Sequence, residues 1–579
     1  MAQEVHFEIF KRHGSKGGWI LHDVSSSRDA AIKTAQELMG EGGATGVKVV
    51  KETYNADTGD FLTLKIFEDG HSKMKSEAAA EDVPHALPCF KPDDLYSYHA
   101  RATIARLLGE YLARQKLTVI ELIHRADALE KFEATGTVYQ HAIQKIAVAQ
   151  ASSTTTPVQQ IVKSLNELVT KSIHRVYRDA KRDYFPKTVA GKFSALAQKM
   201  AADSDGLYRL NGSLAVYLRD AKGWDEKLTR LLGTLSEAQT LDDGPAKDLL
   251  LSAVDAIISE LLSGSAALHE LIGQSENLSE ALSRLVSLFL GQPVDGASDG
   301  VGALTKQFAN DALPDSRIAL ANRILAELKS VKRLCPNSLT DELKSLRRIA
   351  NRLVMGIGKY MRHEDLIAAF TLRSKRIVTH ENIGAHLAEA AQPDEKLERL
   401  LFVEENIIGV ENKRHLASFV MPVITATAFE SFFLASKLPS LERLSRLGEL
   451  QTRVRRAGFQ DKEKADISDL LDRLASEIET RSKLFESIES RPVSHVEKAI
   501  ALLRLSTSGA LTEGRVSHRA RTLILSHLGK PGFLSGYAQH MAKFRPDQKA
   551  DSQAAMTELV QTLEKAGITQ ETGLKNIAA

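Results

Sequence analysis

Cysteine is nearly absent: the 579 residues include two, Cys89 and Cys335, and neither belongs to a Cys-x-x-Cys pair. Neither a disulfide framework nor a thiolate zinc site is expected on that count, and a reducing, cytoplasmic setting is the expectation. Aromatic residues are also scarce, at 6%. A β-sandwich is therefore not expected, because its strands draw on aromatic and β-branched side chains. No surplus of charge exists either. The 76 basic and 74 acidic residues leave a net charge of +2, which argues against nucleic acid as a partner, since phosphate neutralisation supplies most of that affinity. The first ten residues lack the basic stretch and apolar run of a secretory signal.

Long uninterrupted apolar runs are missing too. The nearest approach, residues 415–436, is long enough to span a bilayer. It contains Pro422 and Glu430, and a carboxylate without a partner is costly in lipid. The expectation is a buried core helix, or a helix pair broken at Pro422, with no membrane association.

What is present is the composition of an ordinary globular protein, 43% hydrophobic and 26% charged, with Leu, Ala, Ile and Val carrying the apolar share. The chain is too long for a single core of the usual size. Residues 1–70 carry strand chemistry, alternating at 5–10, 19–24, 47–53 and 61–67. Between the second and third strands lies a helix, 28–39, with Ala31, Ile32, Ala35, Leu38 and Met39 on one face. Ser25–Ser27 offer an N-cap, and Gly40, Gly42 and Gly43 offer a stop. Gly14–Gly18 and Asn55–Gly59 read as turns. The order ββαββ predicts a small α+β module. Residues 71–93, with Pro84, Pro88 and Pro92, read as a linker. From 94 onward the pattern is helix after helix, predicting a mainly α protein with a large multi-helical body. Helices are expected at 96–114, 158–182, 246–262, 315–334, 340–360, 395–410 and 438–457. The Gly-rich stretch 291–302 suggests a boundary between helical domains at 94–290 and 303–545, followed by a short helix (553–565) and a mobile tail within 546–579.

Motifs that announce chemistry are not found. Gly356-Ile-Gly358-Lys359 lacks the upstream glycine and the following Ser/Thr of a nucleotide loop, and reads as close packing. His363-Glu364 and His380-Glu381 do not extend to His-Glu-x-x-His, and His386 lies six residues after His380, on the far side of a helix. No Gly-x-Ser-x-Gly elbow occurs. No metal or other cofactor is implied.

Basic clusters are the most informative feature. Arg347, Arg348 and Arg352 share one helix, followed by Lys359, Arg362, Arg373, Lys375 and Arg376. Arg453, Arg455 and Arg456 form a second group, and Arg515, Arg519 and Arg521 a third. Guanidinium forks suit phosphates and carboxylates, so the first two groups are candidates for binding an anion or an acidic partner. The plainer reading pairs them with acids such as Glu404, Glu405 and Glu449 on solvated helix faces. Across 466–490, Ile467, Leu471, Leu474, Ile478, Phe485 and Ile488 recur at alternating four- and three-residue spacing, a coiled-coil-like seam. It serves either packing within the chain or a homodimer.

The stretch 400–537, through Glu405-Asn406-Ile407-Ile408-Gly409, Asn412-Lys413-Arg414, Leu447-Gly448-Glu449-Leu450-Gln451 and Pro531-Gly532-Phe533-Leu534, is similar to uncharacterised helical regions found beside receiver or cyclic-nucleotide-binding domains in bacterial signalling proteins. The resemblance implies signalling or adaptor work and carries no catalytic residue. Three functions follow in order of support. The first is a non-enzymatic helical interaction or scaffold protein docking a protein partner. The second is a sensor of an anionic small molecule such as a nucleotide. The third is an enzyme whose residues come from separate helices, a class that commonly shows paired Glu-x-x-His helices.

Overall fold

The computed structural model describes residues 5–12, 19–40, 44–54, 61–70, 87–152, 154–356, 358–544 and 552–569. The turns expected at 14–18 and 55–59, the stop at Gly42 and Gly43, the linker over 71–86 and the end of the tail lie outside them. The chain divides into two compact units, Met1–Thr103 with Thr137–Thr170, and Ile104–Gly136 with Lys171–Ala579.

The first unit opens with the expected ββαββ order. Strands β1 (Val5–Arg12), β2 (Ile20–Ser25), β3 (Gly46–Tyr54) and β4 (Phe61–Gly70) form one antiparallel sheet in the order β2-β1-β3-β4. Phe7 and Ile9 of β1 and Val47 and Val49 of β3 point to the same side, as period-two alternation requires. Helix α1 (Arg28–Gly40) covers that side with Ala31 and Ala35, whose small side chains let it lie close to the sheet, flanked by Leu38 and Met39. Its first turn is capped by Ser27, whose hydroxyl accepts from the Ala30 amide at 3.5 Å.

The second unit is helical throughout its described residues. Most of its buried apolar side chains, from Ile120 to Ile568, form one continuous cluster. Val294 and Ala297, within the Gly-rich stretch 291–302, pack against that cluster, so core residues on both sides of the stretch belong together.

Many helices here start without a capping side chain of their own. The residues before Phe193–Met200, Trp224–Gln239, Pro314–Lys329 and Arg515–Leu528 are Lys192, Gly223, Leu313 and Gly514, and none caps through its side chain. The orphan amides of a helix start need acceptors, and carboxylates from distant helices supply them. Glu237 accepts from the Phe193 amide at 2.7 Å and Glu270 from the Trp224 amide at 3.2 Å. Asp255 accepts from Asp315 and Ser316 at 2.8 and 2.9 Å, and Asp472 from Arg515 at 2.7 Å. A negative charge at a helix start also complements the macrodipole.

The seam over 466–490 is interrupted. Asp461–Ser482 ends at Lys483, which takes a left-handed conformation (φ 53°), and a separate short helix, Leu484–Glu489, follows. Ile467, Leu471, Leu474, Ile478, Phe485 and Ile488 are all buried within the chain itself. Asp461–Ser482 packs against Ser440–Arg456, Arg515–Leu528, Val410–Ile424 and Thr427–Leu434. The apolar seam is covered inside one chain and is not free to meet a second copy.

Residues 415–436 fold as a bent pair, Val410–Ile424 and Thr427–Leu434, turning by 59°. Pro422 sits inside the first helix, and the break comes just after it, at Thr425 and Ala426. Leu416, Val420, Ile424, Phe429 and Phe433 are buried in the core, while Glu430 reaches the surface. Among the described residues no single helix is long and apolar enough to cross a membrane. This pair and Pro245–Ser263 with Ser265–Ile272, bent by 88°, are apolar enough only when taken together.

Candidate functional site

The candidate arginines divide sharply by what they touch. Arg352 is anchored. Its guanidinium donates to the Ser283 carbonyl (3.1 Å), the Ser287 hydroxyl (2.7 Å) and the Gln292 side chain (2.8 Å), and burial lowers its pKa. Arg348, one turn earlier, is exposed and forms no such bond, so the two do not form a clamp. Arg453 pairs with Glu405 at 3.0 Å, and the neighbouring Lys413 with Glu404 at 2.5 Å. Arg455 and Arg456 are exposed in the last turn of Ser440–Arg456, where positive charge complements the helix dipole.

Several arginines, inside the clusters and outside them, hold helix ends together. The last carbonyls of a helix lack intrahelical donors, and a guanidinium can serve several at once. Arg373, almost wholly buried, donates to the Leu328 (2.8 Å), Glu327 (2.6 Å) and Lys332 carbonyls at the end of Pro314–Lys329, and Arg376 donates to those of Lys329 and Ser330. Arg317 donates to the Phe289 and Phe308 carbonyls at 3.0 Å each, closing two helices, and Arg443 to that of Phe433 at 2.7 Å. Arg515, Arg519 and Arg521 pair with Asp469, Glu479 and Glu513 at 2.8, 2.5 and 2.7 Å. Around the Gly-x-Gly-Lys sequence, Gly356 packs against Leu290 and Phe289, with room for no Cβ, and Lys359 pairs with Asp311 at 2.8 Å.

A stripe of cations runs along one helix face. On Leu339–Val354 the inner face, Leu343, Leu346, Ile349 and Leu353, is buried, and Glu342 turns inward to Arg333 at 2.6 Å. The opposite face exposes Lys344, Arg347, Arg348 and Asn351, and the three cations form no ion pair among the described residues. The same face continues into Val354 and Met355, which are 60% and 81% exposed. Lys344 and Arg348 are like charges at i, i+4, an arrangement that weakens a helix by about 0.2–0.5 kcal/mol. Sequence reasoning found Arg347 and Arg348 but missed Lys344 and the apolar end. The seven-residue recurrence from Arg347 to Val354 and from Arg348 to Met355 was the available signal, since seven residues is close to two helical turns.

The histidines do not gather. His380 is exposed beside the rings of His415 and Phe419, while His386 is buried six residues on. His527 is buried between Glu489 (2.7 Å from Nε2) and Lys530 (3.2 Å from Nδ1). An ammonium can only donate, so Nδ1 accepts and Nε2 carries the proton given to Glu489. Cys335 lies 3.7 Å from the Ser345 hydroxyl, and burial raises the pKa of Cys89. Among the described residues no group of three or more His, Cys, Asp or Glu side chains is placed to hold a metal ion. No family model, no curated protein and no solved structure matches the chain.

Proposed function

We propose that this chain is a non-enzymatic helical interaction protein, a scaffold that docks a protein partner. The observation that carries the reading is the division among its cations. Arg352, Arg373, Arg376 and Arg453 are engaged in holding the body together, whereas Lys344, Arg347 and Arg348 lie together on one outward helix face. Small anions are enclosed by concave sites with converging polar groups, whereas an exposed run of charge and apolar surface suits another macromolecule. Anchoring of Arg352 also removes half of the pair that a nucleotide sensor would use. A cytoplasmic setting accords with the scarcity of cysteine, and signalling or regulatory work in a bacterium is the direction implied by the resemblance over residues 400–537.

Thermal-shift screening of the full chain against nucleoside triphosphates and cyclic dinucleotides tests the reading. No shift is expected, together with a complex that can be rebuilt from this chain and one purified protein partner. A reproducible rise of several degrees with a nucleotide overturns it in favour of a sensor.

A further inference from the structure

We infer that the outward stripe of Leu339–Val354, made of Lys344, Arg347, Arg348, Val354 and Met355, docks an acidic amphipathic helix of a partner protein. The inference rests on the interaction reading above and adds the surface and the chemistry of what it meets.

Three observations choose the occupant. First, the stripe is positive, and among the described residues no acid pairs with its cations. Asp341 lies three residues before Lys344 yet forms no ion pair with it, and Glu342 faces inward to Arg333. A partner with carboxylates at i, i+3 and i+4 would match Lys344, Arg347 and Arg348 at the same spacing and relieve their mutual repulsion. Second, the exposed apolar pair stands at one end only. From Lys344 to Met355 the stripe runs about 16 Å at 1.5 Å per residue, which is three turns. That length suits a short partner helix whose acidic turns lie over the cations and whose apolar turn covers Val354 and Met355. Third, the alternatives fit less well. An interfacial helix enters a lipid surface with its apolar face, and the apolar face here is already buried in the core. A nucleic acid calls for a broader field of cations than three side chains in a chain of net charge +2. A small anion would need Arg347 and Arg348 to converge, and as neighbours on a helix they point about 100° apart.

The full chain is titrated with a fluorescein-labelled, acetylated and amidated Ala-based peptide of about eighteen residues, long enough to hold a helix in water. The peptide presents Glu at i, i+3, i+4 and i+7 and two Leu further along the same face. Fluorescence anisotropy at low salt should show binding that weakens as salt rises. The Gln version of the peptide should not bind. Arg347→Glu with Arg348→Glu should weaken binding at least tenfold, and Val354→Ser with Met355→Ser severalfold. Thermal melts should stay at the wild-type midpoint, because these side chains are exposed. Should the charge reversal disturb the fold, Arg347→Gln with Arg348→Gln replaces it. Failure of the wild type to bind the Glu peptide overturns the inference, as does undiminished binding by the charge-reversed chain. Stronger binding to phosphatidylserine vesicles or to a single-stranded RNA oligonucleotide also overturns it. A partner complex rebuilt through another face would remove this surface and leave the interaction reading intact. A nucleotide-driven thermal shift would remove the reading itself.

Discussion

Lys227 and Glu121 stand 106 residues apart and meet in the interior, with Nζ 2.6 and 2.7 Å from the two carboxylate oxygens. Neither is more than 3% exposed. Glu121 also accepts from the Thr118 amide at 3.0 Å and lies 3.5 Å from Arg125, while Lys227 donates to the Lys116 carbonyl. Burial lowers the pKa of Lys227, against the pull of Glu121. Removing Lys227 leaves Glu121 buried with only Arg125, 3.5 Å away, as counter-ion, so the cost lies toward the low end of the about 3–5 kcal/mol for breaking a buried pair. Lys227→Met should lower the unfolding free energy by about that amount in urea titration. Adding Glu121→Gln should recover part of the loss, and equal losses in the single and double variants would contradict the pairing.

A second prediction concerns packing between Gly212 and Phe185. A Cβ built at Gly212 would lie 2.1 Å from Cδ1 of the Phe185 ring, which itself packs edge-on to Tyr208 with centroids 5.2 Å apart. Gly212→Ala forces that buried ring aside, at about 1–3 kcal/mol, despite the better helix propensity of alanine. Phe185→Leu alone should destabilise, yet combined with Gly212→Ala it should cost less than the sum. Strict additivity in thermal melts would sink the account.

The small sheet and several helix starts could be read from residue pattern where their causes are local. Arg28 opens α1 after Ser27, and Val158 opens Val158–Lys181, both as expected. Helix ends were misjudged where the cause is remote. The helix expected over 315–334 stops at Lys329, where Arg373 and Arg376 take its final carbonyls. The one expected over 340–360 stops at Val354, and the turn after it includes Gly356 packed against Leu290. Lys483 gives no local sign of a break, being neither glycine nor proline, yet it divides the seam over 466–490. For the candidate site, the sequence displays charge but not its partner. Arg348 and Arg352 look equivalent one turn apart, and only the neighbouring helix Leu278–Phe289 makes one of them structural.

Remote capping predicts the effect of Asp255. Its carboxylate accepts from the Asp315 and Ser316 amides and, at 2.5 Å, from the Ser316 hydroxyl. Leu313, which precedes the helix, takes a left-handed conformation (φ 59°) and cannot cap it. Asp255→Ala leaves these donors unsatisfied, at about 1–3 kcal/mol for a buried polar group that loses its partner. Asp255→Asn keeps an acceptor oxygen and should cost less. The ordering Ala below Asn below wild type in urea midpoints checks it, and an Asn variant as unstable as the Ala variant would show that charge, not acceptance, matters.

The last prediction is a pH dependence centred on His386. The ring is 3% exposed, its Nε2 has no hydrogen-bond partner among the described residues, and Nδ1 lies 3.4 Å from the Arg399 guanidinium. Glu389, 3.9 Å from Nδ1, and Glu395 act in the opposite sense. Burial and then Arg399 dominate, so the folded-state pKa lies below the ordinary histidine value of about 6.5. Between the two values the unfolded chain binds more protons than the folded one. Stability therefore rises with pH through that window and is lost as pH falls through it. Replacing His386 with Gln, which cannot titrate, should flatten this share of the slope. The check is the difference in urea midpoint between about pH 7.5 and about pH 5.5, where ordinary histidines change charge, for wild type and His386→Gln. The variant should lose less stability on acidification than the wild type. An equal or larger loss would mean that the neighbouring acids, not burial and Arg399, set the protonation of His386.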